Sequence, residues 1–143
     1  MRGRKLIGAR YYSLAKTEDS ARDIEGHGTH AASITVGNNV AGANFYGLAK
    51  GKARGAVPSA RIAIYKVCWN HRCSTSNILA AFDDAISDGV DIISVSLGTD
   101  TPTSYIDDPI AIGSFHALQR GILTSQSAGN DGPKKESLLS TAP

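Results

Sequence analysis

The sequence predicts an α/β fold with parallel strands. Short apolar, β-branched runs at 61–68, 91–97 and 122–128 alternate with two segments of helical periodicity. A glycine closes each helical segment: Gly89 sits where a left-handed C-cap belongs, and the second segment stops at Gly121. Strand–helix–strand–helix–strand spacing calls for parallel pairing with right-handed crossovers.

Taken in chain order, Leu6 to Tyr12 has the character of an edge strand, and His27 to about Val36 that of a short helix. Gly28, Thr29, Ala31, Ala32 and Ser33 make this helix rich in small residues, which suits close packing. Residues 37–57 carry five glycines and read as loop. Arg61 to Cys68 follows Pro58-Ser59 and reads as a strand. Ile78, Leu79, Phe82, Ala85 and Ile86 form the stripe of an amphipathic helix over 77–88, with Ser74 to Ser76 as N-cap candidates. Asp91 to Leu97 reads as a short buried strand. Asp107 or Asp108 caps the next helix, with Pro109 pre-set for its first turn, and this helix runs to about Arg120. Ile122 to Ala128 is a third strand, ended by Gly129.

Composition narrows the function. The 143 residues are 41% hydrophobic and 20% charged, as in an ordinary globular domain. A net charge of +2 and scattered basic residues give no support to nucleic-acid or membrane-surface binding. No run approaches the ~18–20 apolar residues of a membrane span. The basic start Met1-Arg2-Gly3-Arg4-Lys5 lacks the apolar stretch of a secretory signal.

Three segments invite chemistry. In Asp23-Ile-Glu-Gly-His27-Gly-Thr-His30-Ala-Ala-Ser33, the Gly26-x-Gly28-x-x-Ala31 pattern formally fits a dinucleotide fingerprint, but polar residues rather than a strand precede it. A metal site on His27 and His30, with or without Asp23, lacks a third His or Cys at useful spacing, so no metal and no cofactor is expected. These histidines either bond locally at a helix start, or one is a general base set beside glycine so that substrate can approach. Ser125-Gln-Ser127-Ala128-Gly129-Asn130-Asp-Gly132-Pro133 follows a strand end. Alone it is a polar turn; beyond a parallel strand, its Asn can donate to an oxyanion. Val95-Ser96-Leu97-Gly98 alone is a strand end.

Together the three segments resemble the subtilisin-like serine proteases. Gly26-His27-Gly28-Thr29-His30-Ala31-Ala32-Ser33 is similar to the catalytic-histidine motif, Ser96-Leu97-Gly98 to the segment that pairs with substrate backbone, and Ser127-Ala128-Gly129-Asn130 to the oxyanion motif. Further segments, including Lys5 to Tyr12, Ala53-Arg54-Gly55, Tyr65 to Trp69 and Ile112 to His116, resemble the plant branch of cucumisin type. The resemblance implies a parallel αβα sandwich and serine endopeptidase chemistry on a peptide or protein substrate. It implies His27 as base, Asn130 as oxyanion donor, and substrate contacts at Ser96, Leu97, Gly98, Ser127, Ala128 and Gly129. It also implies a secreted enzyme.

The family orders its triad Asp, His, Ser. The acids before His27 are Glu18, Asp19, Asp23 and Glu25, none in an apolar strand, and all four read as solvated or capping groups. No Gly-Thr-Ser and no Gly-x-Ser-x-Gly occurs. The expectation is that residues 1–143 are a partial catalytic domain, without the Asp-bearing N-terminal and Ser-bearing C-terminal parts, and inactive alone. Two alternatives stand beside it: an inactive truncated fragment that retains at most peptide binding, and an unrelated nucleotide-binding α/β module. Cys68 and Cys73 are too few for zinc. Because the resembling plant enzymes are secreted, a local disulfide is expected, and two free thiols are the alternative. His116 reads as structural or surface.

Overall fold

The computed structural model describes residues 5–14, 20–98 and 101–141. Glu18 and Asp19 lie outside them. Among the described residues the chain forms two compact units, one from 5–11 and 20–66, the other from 12–14 and the residues after 66.

In the first unit, β1 (Leu6–Tyr11) pairs in parallel with β4 (Ile62–Lys66), from Leu6 opposite Ile62 to Tyr11 opposite Lys66. Lys5 begins this pairing. Its carbonyl accepts from the Ile62 amide at 2.9 Å, and its Nζ donates to the carbonyls of Pro58 and Ala60. Helix α1 (His27–Val36) buries Val36 alone. Its close packing lies at its C-terminal end, not among its small residues. There the amides of Gly55, Ala56 and Val57 donate to the carbonyls of Gly37, Ile34 and Thr35 at 2.8–2.9 Å. These bonds satisfy carbonyls that a helix end leaves open. A Cβ on Gly55 would lie 2.3 Å from the Gly37 nitrogen, so backbone meets backbone with no room for a side chain.

Residues 37–57 are not simply loop, contrary to the sequence expectation. They contain a hairpin of β2 (Val40–Phe45) and β3 (Leu48–Ala53). Its turn has positive φ at Tyr46 (47°) and Gly47 (84°), the signature of a type I′ turn, and the Asn44 side chain accepts from the Gly47 amide at 2.8 Å. Gly42, at φ 73°, sits where the register shifts between Ala41 and Ala43.

In the second unit, β5 (Cys68–Trp69) and β6 (Arg72–Cys73) form a minimal hairpin closed by a Cys68–Cys73 disulfide. Ser74 then caps α2 (Thr75–Ser87), accepting from the Asn77 amide. Buried Asn77 donates to the carbonyls of Tyr12 (2.9 Å) and Val67 (3.3 Å), and Trp69 Nε1 also donates to the Tyr12 carbonyl. The Tyr12 hydroxyl lies 2.6 Å from Asp84 Oδ2, so this residue is fixed at both ends. β7 (Ile92–Val95), α3 (Pro109–Gln119) and β8 (Leu123–Gln126) complete a β–α–β unit whose strands pair in parallel. Asp108 caps α3, and Gly89 and Gly121 both take positive φ.

The core lies between α2 and α3: Ile78, Ala81, Phe82 and Ala85 against Ile110, Ala111 and Ala117. Gly113 lets the helices approach, because a Cβ there would stand 2.3 Å from the Phe82 ring. Strand β7 is not buried as the sequence suggested, and β8 is as open. Each alternates exposed and half-buried positions, with Ile92 62% and Leu123 63% exposed. A parallel pair normally has both faces covered; here one face stays open.

Gly55→Ala and Gly113→Ala are each expected to destabilise their unit by about 1–3 kcal/mol through overpacking, read as a lower urea midpoint. Thiol titration of the denatured, unreduced chain is expected to find no reactive thiol, and two after reduction. Two before reduction would refute the bridge.

Candidate active site

His27 belongs to the first unit; the other candidate residues belong to the second. His27 is the first residue of α1 and is exposed. Gly26, the N-cap, takes a left-handed φ of 93° and has no side chain to meet the open amides of the first turn. Asp23 meets them instead. Its Oδ1 accepts from the amides of Glu25 (3.0 Å) and Gly26 (2.8 Å), and its Oδ2 accepts from the amide and hydroxyl of Thr29, both at 2.7 Å. A carboxylate there also faces the positive end of the helix dipole. The Thr29 hydroxyl, followed by the amides, holds the Asp23 carboxyl well below the usual carboxylate range. None of these bonds goes to an imidazole, so Asp23 serves the helix start, as a capping acid.

Lys66 of β4 anchors this loop by donating to the Arg22 carbonyl at 2.7 Å. The position of His27 thus follows from strand to loop to helix start. Residues 20–26 contain no strand, so the dinucleotide pattern at Gly26 lacks the strand–turn–helix setting it needs. Among the described residues no group of three or more His, Cys, Asp or Glu is placed to hold a metal ion.

In the second unit, the parallel register of β7 and β8 runs to Val95 opposite Gln126, and the Ser127 amide extends it by donating to the Val95 carbonyl at 3.1 Å. Ser96–Gly98 and Ser127–Asn130 therefore leave side by side from the carboxyl ends of two parallel strands, where open α/β sheets bind ligands. Ser96 and Gly98 are exposed, while Leu97 and Ser127 are half-buried. Ala128, Gly129 and Asn130 are exposed. Gly129 turns the chain with φ 99°, and a Cβ there would come within 3.2 Å of Leu139 Cδ1. Only glycine takes that turn freely, and the turn leaves Asn130 in the open. A hollow of about 420 Å³ near Asp91 and Ile122 lies at the opposite, amino end of the strand pair. The chemistry-bearing segments do not line it.

Sequence reasoning missed Gln126. Its Nε2 donates to the carbonyls of Leu97 and Ser127 (the latter at 3.0 Å) and contacts Ser140 Oγ at 3.1 Å. It also missed Leu139, which backs Gly129 and whose amide donates to the Ala128 carbonyl at 3.2 Å. The one signal for Gln126 was an amide side chain on a strand immediately before Ser127.

Known proteins resemble this chain over most of its length. The model of the subtilase family matches residues 9–142. Subtilisin-like protease SBT4.3 of Arabidopsis thaliana is 60% identical over 139 residues, which are 97% of this chain and 19% of that protein. Subtilisin-like protease SBT4.10 of the same plant is 62% identical over 129 residues, 90% of this chain and 18% of that protein. The chain thus spans about a fifth of the length of the curated relatives it matches. Among solved structures, the prenylagaramide maturation protease PagA aligns over 56% of this chain and 30% of its own, with 26% identity and a TM-score of 0.47.

Asp23→Ala is expected to destabilise the start of α1 by about 1 kcal/mol, seen as faster hydrogen exchange of the Thr29 and His30 amides. Because folding lowers the Asp23 pKa, its contribution is whole above the ordinary value of 3.8 and is lost as pH falls through the folded value. Protection of these amides in the unsubstituted chain should therefore exceed that of Asp23→Ala above pH 3.8 and converge on it as the pH falls through the folded value.

Proposed function

The chain belongs to the subtilase family, and from that premise we propose that it carries the histidine base and the oxyanion donor of a serine endopeptidase. The side-by-side exit of Ser96–Gly98 and Ser127–Asn130 from the carboxyl ends of β7 and β8 is the observation that supports this reading best. An extended peptide adds to Ser96-Leu97-Gly98 as a further strand, held by main-chain hydrogen bonds. His27 takes the proton of a serine hydroxyl as that oxygen attacks the peptide carbonyl. The carbonyl oxygen becomes an oxyanion and accepts a hydrogen bond from the Asn130 side-chain amide. His27 then gives the proton to the leaving amine as the C–N bond breaks.

On this reading residues 1–143 are a partial catalytic domain. The aspartate and serine of the triad come from other sequence, because no Gly-Thr-Ser occurs within these residues and Asp23 is engaged at the start of α1. The substrate is a peptide or protein, and the enzyme works outside the cell, where the Cys68–Cys73 disulfide persists. Among the described residues no helix is long and apolar enough to cross a membrane. A second reading, a chain that binds peptide without cleaving it, rests on the same missing serine motif.

A fluorophosphonate probe is expected to leave the purified 143-residue chain unlabelled; stoichiometric labelling at a serine would refute the partial-domain reading. In a chimera carrying residues 5–141 in place of the matching segment of SBT4.3, labelling and peptide cleavage should appear. There Asn130→Ala should lower kcat by the loss known for the corresponding donor in subtilisin itself, about 10²–10³.

A further inference from the structure

Resting on the peptidase reading above, we propose that Gln126 is a positioning residue that clamps the substrate-pairing segment to the oxyanion segment. The main-chain ladder between β7 and β8 ends with the bond from the Ser127 amide to the Val95 carbonyl. Past that point the two segments share no backbone hydrogen bond among the described residues, yet the proposed chemistry needs them in fixed relation. The side chain of Gln126 supplies what the ladder no longer does. Its amide nitrogen donates across to the Leu97 carbonyl, and the same nitrogen holds the Ser127 carbonyl at 3.0 Å and Ser140 Oγ at 3.1 Å. One planar group thus ties together the segment before Gly98, the segment leading to Asn130, and the 137–140 stretch that backs Gly129.

Two features set this apart from ordinary packing. The Gln126 Oε1 is buried and has no hydrogen-bond partner among the described residues. An unsatisfied buried acceptor costs free energy that an apolar side chain would avoid, so the side chain is useful for its donors. The direction of the Leu97 bond also matters. In an extended chain, neighbouring residues turn their main-chain groups to opposite sides. With the Leu97 carbonyl committed to Gln126, Ser96 and Gly98 are left to offer theirs to an incoming peptide. Gln126 therefore acts through the protein backbone and touches no reacting atom.

The test uses Gln126→Leu, which keeps the size and removes the donors, and Gln126→Asn, which keeps the amide on a shorter arm. In the 143-residue chain, both variants are expected to speed hydrogen exchange of the Ser127 and Leu139 amides about tenfold, with the α2 and α3 amides unchanged. In the SBT4.3 chimera, both should lower kcat/KM for an extended peptide about tenfold more than for a single-residue ester, mainly through KM, with the pH profile unmoved. Unchanged exchange at Ser127 and Leu139, or an unchanged peptide-to-ester ratio, would overturn the clamp. So would equal acceleration of the α2 and α3 amides in both variants, which would make Gln126 an ordinary packing residue. An unsubstituted chimera that neither cleaves peptide nor reacts with fluorophosphonate would overturn the peptidase reading and the catalytic consequence of Gln126. The exchange data would still decide whether the clamp exists.

Discussion

Parallel pairing of β7 with β8 is the constraint on which the rest of the second unit depends. Strands that run the same way must end at the same edge, so whatever follows each strand emerges beside whatever follows the other. The pairing of Val95 with Gln126 brings the start of Ser96–Gly98 next to the start of Ser127–Asn130. The crossover through α3 satisfies the connection, and α3 in turn finds its core against α2 through Phe82 and Gly113. Sheet, helices and candidate site are thus one arrangement, and a change in register would move both segments at once.

The first unit solves a different problem. A glycine must precede His27 for the chain to turn into α1 with φ 93°, and glycine cannot cap a helix with a side chain. Asp23 supplies the missing acceptor from three residues upstream, and Lys66 holds the loop that carries Asp23. An acid close to a candidate base invites a catalytic reading, and its hydrogen bonds give it a structural one. Its low pKa has the same origin: a hydroxyl and three amides converge on one carboxylate.

What was legible in the sequence was local. Gly89 and Gly121 marked helix ends because left-handed φ is a property of single residues, and Asp108-Pro109 marked a helix start for the same reason. The β2–β3 hairpin was hidden, because alanine and glycine dilute its strands and a tyrosine occupies a turn position that usually signals itself with asparagine. The exposure of Ile92 and Leu123 was hidden too, since an apolar strand does not state what covers it. In the candidate site the motif residues could be read, whereas their supports could not. Gln126 matters only once the register of two strands 31 residues apart is known, and Asp23 only once Thr29 folds back over it.

The contact between Gly37 and Gly55 has a consequence at the level of the gene. It joins two stretches of main chain with no side chain taking part, so its chemistry cannot be tuned. Every missense change in a glycine codon adds at least a Cβ, and each position has backbone where that atom would go. Neither site has a conservative neighbour one mutation away. The end of α1 is therefore a place where even the smallest substitution must move main chain.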